Sequence, residues 1–81
     1  MTLTEKQNMI ENAMVVMSGD MFHKVYDTCN LDWAYTTNTI KSWAKEFVNE
    51  LNWKGYDDDR DWIIELKAFE DKKFEEFKKD F

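Results

Sequence analysis

No proline interrupts this chain, and glycine occurs only at Gly19 and Gly55. Proline inside a helix removes a hydrogen bond and clashes with the preceding turn, and glycine weakens a helix by about 1 kcal/mol. A chain nearly free of both is biased towards helix, with the two glycines as natural stops. Hydrophobic spacing agrees. Met9, Ile10, Ala13, Met14 and Met17 recur at three and four residues, as one face of a helix requires. Thr2 with Glu5, or Thr4 with Gln7, fits a capping box at its start, and Gly19 is the expected stop. Ser18 or Asp20 then caps a second helix with Phe22, Val25, Tyr26 and Cys29 on its apolar side.

The clearest pattern comes third. Ile40, Trp43, Ala44, Phe47, Val48 and Leu51 form one amphipathic stripe, with Thr37 or Asn38 as cap and Gly55 as stop. Before it, Leu31, Trp33 and Tyr35 alternate with polar or small residues. A lone strand has no partner here, so Asn30 to Asn38 is read as an ordered loop with its aromatics packed inward. The last helix opens in Asp57-Asp58-Asp59-Arg60-Asp61, where acids favour the helix dipole. Its stripe is Trp62, Ile63, Leu66, Phe69, Phe74, Phe77 and Phe81. Unbroken, it runs to roughly 35 Å, and the other helices are shorter by a third or more. The expectation is an all-α fold, a small bundle of three to four helices with a long C-terminal helix, forming one domain over residues 1–81. Phe74, Phe77 and Phe81 then outreach the bundle and become the expected self-association surface. Val15 and Ile64 fall off their stripes and are expected to pack against neighbouring segments.

A chain of 81 residues is marginally stable alone, and the usual staples are absent. Cys29 is the single cysteine and His23 the single histidine, so neither an intrachain disulfide nor a Cys/His zinc site can form. A lone cysteine, with no basic leader and no long apolar run, points to a cytoplasmic protein outside the membrane. The net charge is -6. Residues 57–81 hold ten acids against six bases, whereas residues 21–56 hold four of each.

Chemistry-bearing patterns are sparse. Asp57, Asp59 and Asp61 match the first three ligand positions of a calcium loop. That loop then needs glycine where Trp62 stands and a bidentate acid where Ala68 stands, so no metal is expected. His23 and Cys29 lie six residues apart, on opposing sides of a helix, and no phosphate-binding glycine loop exists. No cofactor and no catalysis are expected. Trp53 and Tyr56 beside Asp57, Asp58 and Asp59 would make an aromatic anchor with a charged rim, suited to a protein with a basic surface.

Thr36-Thr37-Asn38-Thr39-Ile40-Lys41-Ser42-Trp43 resembles the start of a helix-turn-helix recognition helix. The resemblance covers about ten residues and implies that Thr37, Asn38, Thr39, Lys41, Ser42 and Lys45 face a DNA groove. The turn glycine is missing, the linking stretch is longer than the motif expects, and a charge of -6 opposes phosphate binding. In size, acidity and lack of chemistry the chain is also similar in type to small phage or mobile-element proteins that block host enzymes. The function expected is a non-enzymatic protein-binding module, an inhibitor or adaptor. A dimeric DNA-binding regulator and a structural homo-oligomer are the alternatives, with nucleic acid disfavoured.

Overall fold

The computed structural model describes residues 2–50 and 59–80, with the side chains of 59–61 left aside. Four helices pack together: α1 (Leu3–Asp20), α2 (Phe22–Thr28), α3 (Trp33–Glu50) and α4 (Asp59–Lys78). The described residues include no strand, and none of their helices is long and apolar enough to cross a membrane.

Thr2 caps α1, its Oγ1 accepting the Glu5 amide at 3.1 Å. The helix does not stop at Gly19. It runs to Asp20, and only Met21 separates it from α2. The Met21 amide donates to the Met17 carbonyl at 2.7 Å, and the Met21 carbonyl accepts from Val25 at 3.1 Å. The hydrogen-bonded ladder therefore passes almost unbroken round the bend. Met21 is buried to 2 % exposure, so the core anchors the corner that glycine was expected to make.

The C-terminus of α2 is closed by a Schellman turn. The Leu31 amide reaches the Tyr26 carbonyl at 2.9 Å, with Asn30 at φ 61° in the position glycine usually takes. Leu31 follows at φ 62°, also left-handed. Asp32 then caps α3. Its Oδ1 accepts the Tyr35 amide at 2.9 Å and its carbonyl accepts the Thr36 amide at 3.0 Å.

The segment expected to be a loop is thus mostly helix. Its stripe begins at Thr36, which is fully buried and donates its Oγ1 proton to the Asp32 carbonyl at 2.7 Å. The remaining inward positions, Ile40, Trp43, Ala44, Phe47 and Val48, match the sequence reading. Leu51 lies outside the described residues.

These residues form one core with Ala13, Met17, Met21, Val25, Cys29, Trp62, Leu66 and Phe77. α1 packs most extensively on α3, and α4 closes the remaining side. Phe47 meets Phe69 at 5.4 Å between centroids, and Trp43 meets Phe77 edge-on at 5.8 Å. Ion pairs Lys67–Asp20 and Lys73–Glu46 tie α4 to α1 and α3.

α4 has 20 residues against 18 in each of α1 and α3, so it does not outreach its neighbours as the sequence suggested. Phe77 is buried and Phe74 packs partly against the same core. Phe81 lies outside the described residues. Phe77 buried and Phe74 half-buried against their own chain leave less apolar surface for self-association than the sequence suggested.

Candidate functional site

Of the expected anchor, Trp53, Tyr56, Asp57 and Asp58 lie outside the described residues, and Asp59 is placed only as the first residue of α4. Val15 and Ile64, expected to pack, are 72 % and 66 % exposed. Each stands off its helix's buried stripe. Thr37, Asn38, Lys41, Ser42 and Lys45 are exposed along α3, and Thr39 is half-buried, its Oγ1 donating to the Tyr35 carbonyl. The link between α2 and α3 is short, only Cys29 to Asp32, so that objection to a helix-turn-helix disappears. Cys29 is buried, its sulfur 3.1 Å from the Thr36 hydroxyl, while His23 is exposed beside Phe22. Among the described residues, no group of three or more His, Cys, Asp or Glu could hold a metal ion.

The structure draws attention instead to the start of α3. Leu31, Trp33 and Tyr35 are 60 %, 66 % and 47 % exposed, and Ala34 between them is exposed as well. Two residues turn a helix by about 200°, so Trp33 and Tyr35 sit on opposite flanks of its first turn. Trp33 lies 4.7 Å from the Phe22 ring and meets Tyr26 edge-on at 6.0 Å. Phe22 and Tyr26 stack on each other at 6.0 Å. A cavity of about 360 Å³ opens beside them, lined by Ser18, Phe22, His23 and Trp33. On the other flank, Tyr35 lies 6.3 Å from Phe77.

Trp33 is therefore held in place by two aromatic neighbours while most of its surface faces water. A rigid, exposed aromatic loses little side-chain entropy on binding, which is why Trp and Tyr dominate binding anchors. A run of exposed apolar residues is unfavourable unless it is used. The backbone beneath is also costly. The left-handed region penalises a residue with a Cβ by roughly 1–2 kcal/mol, and Leu31 gains little burial in return. Uncompensated strain of this kind concentrates at binding sites.

A second site escaped sequence reading altogether. Glu70 is 3 % exposed, and its Oε1 has no hydrogen-bond partner. It lines a cleft of about 260 Å³ with Asp20, Met21, Lys24, Lys67 and Asp71. Burial pushes its pKa up to about 7, and the nearby charge of Asp20 adds to the shift. The signal was present, since position 70 lies four residues beyond Leu66 on the buried stripe of α4.

Compared with known proteins, the chain matches no family model, no curated protein and no solved structure.

Proposed function

We propose that this chain is a non-enzymatic protein-binding module that docks through the apolar start of α3. The observation that carries this reading is the exposed Leu31-to-Tyr35 segment, with Trp33 braced by Phe22 and Tyr26. The acidic balance of the chain favours a partner with a basic surface, because complementary charge speeds encounter while the aromatic anchor supplies affinity. Trp53, Tyr56 and Asp57 to Asp59 belong to the same proposal as a second contact. An inhibitor or adaptor role, of the kind small phage proteins play, fits such a module.

The short α2–α3 link keeps a second reading in view. There, Thr37, Asn38, Lys41, Ser42 and Lys45 would meet DNA from one exposed face of α3. A structural homo-oligomer is the third reading.

One experiment separates the three. The immobilised chain is exposed to an extract of the cells that make it, with Trp33→Ala and the pair Lys41→Glu/Lys45→Glu run alongside. The docking reading expects a protein retained by wild type and by the lysine variant, and lost with Trp33→Ala. Removing a central tryptophan anchor commonly costs about 2 kcal/mol or more, roughly a thirtyfold loss of affinity. Nucleic acid retained in a strongly salt-dependent way, and lost with the lysine variant, would favour the DNA reading. Retention of the chain's own copies alone would favour the homo-oligomer.

A further inference from the structure

Glu70 stands at the corner where α4 meets the α1–α2 bend. Its side chain faces the carboxylate of Asp20 from α1, the ammonium of Lys24 from α2, and Lys67 and Asp71 of its own helix. Lys67 is already engaged, paired with Asp20. Lys73, one turn further along α4, is held by Glu46 of α3 at 2.6 Å. Among the described residues Lys24 is the remaining cation that faces Glu70, and the Glu70 Oε1 is buried without a hydrogen-bond donor. A protonated carboxyl tolerates such a place. An ionised one does not, because an unpaired buried charge is costly and two carboxylates stand close by.

We infer that Glu70 is a protonation-controlled latch for α4. The helix stays docked on the α1–α2 corner while this carboxyl carries a proton, and it loosens when the carboxyl ionises. The inference is independent of the docking surface at α3. The raised pKa of Glu70 puts the transition in the neutral range. The sign follows from linkage. The docked state holds its proton up to about pH 7, whereas the undocked carboxyl releases it near its ordinary value of 4.5. Docking is thus fully favoured below the lower value and weakens as pH rises towards the higher one. Across that window the undocking constant rises about tenfold per pH unit, then levels off. Undocking would uncover Trp62, Leu66 and Phe69, all of which pack on the core.

The test is NMR on the intact chain between pH 5 and pH 8. The Glu70 carboxyl carbon is titrated, and hydrogen exchange is followed at Leu66 and Phe69 of α4 and at Ala44 and Val48 of α3. Protection is corrected for the intrinsic pH dependence of exchange. A latch requires Glu70 to titrate near neutrality, with α4 protection falling by at least tenfold while α3 protection holds. Glu70→Gln, which mimics the protonated acid, should leave α4 protection flat with pH. Asp20→Asn should lower the titration midpoint by removing a repulsive charge and freeing Lys67, and Lys67→Gln should raise it. These two variants carry the test should Glu70→Gln fail to fold. Titration of Glu70 alongside the exposed glutamates would overturn the inference. So would α3 and α4 losing protection together, or midpoints indifferent to Asp20 and Lys67.

Discussion

Leu31 brings local strain and surface exposure to one residue. It is left-handed at φ 62°, and its side chain is 60 % exposed. Glycine accepts that backbone without a steric penalty, although it loses more entropy on folding. Strain relief exceeds the entropic cost, so Leu31→Gly should stabilise the chain by about 0.5 kcal/mol, read as a higher urea midpoint at unchanged slope. It should also weaken partner retention, because an apolar contact is lost. Lower stability would mean that the leucine side chain holds the turn and that its exposure has no functional weight. Neither feature was visible in the sequence, where Leu31 was one of several apolar residues in a presumed loop. Its geometry follows from Asn30 substituting for glycine in the Schellman turn, a role asparagine fills less often. Glu70 was missed for a related reason. A charged residue was left out of the apolar stripe, although its spacing from Leu66 placed it there.

Among the elements, the stripes of α1, α3 and α4 were legible because three- and four-residue spacing survives whatever the caps do. Ala13, Met17, Ile40, Trp43, Ala44, Phe47, Val48, Trp62 and Leu66 are all in the core where periodicity placed them. The junctions were not legible. α3 starts at Trp33 because Asp32 caps it and Thr36 buries its hydroxyl against the Asp32 carbonyl, whereas Thr37 and Asn38 offered equally good caps on paper. Gly19 looked like a stop, yet it lies inside α1, and beyond its chain neighbours and its own helix backbone nothing comes within 4 Å of the place a Cβ would occupy. Gly19→Ala should therefore stabilise the chain by roughly 0.5–1 kcal/mol through helix propensity and a less free unfolded state. Thermal unfolding would check this, with a rise of several degrees expected for a domain of this size. A fall in melting temperature would show that the α1–α2 corner relies on glycine.

At the scale of the whole molecule, sequence reading gave three to four helices around an aromatic- and methionine-rich core, and the described residues form four. It misjudged their relative lengths, and with them the reason to expect exposed phenylalanines on α4. Surface function was the least legible level. Buried and exposed aromatics look alike in a sequence, and Trp33 is exposed only because α3 begins early enough to carry it beyond the core. The two surfaces that stand out lie on opposite sides of α2: the apolar start of α3, and the Glu70 cleft beneath α4. The first is the central claim, and it is best tested where the protein works. A photo-crosslinking residue at Ala34, between Trp33 and Tyr35, is compared with one at Glu5, about 20 Å along α1 from Ser18. Irradiation of the cells that make the chain should give a discrete adduct with another protein from position 34 and none from position 5. Adducts of equal yield from both positions, or none from position 34, would contradict a docking role for this surface.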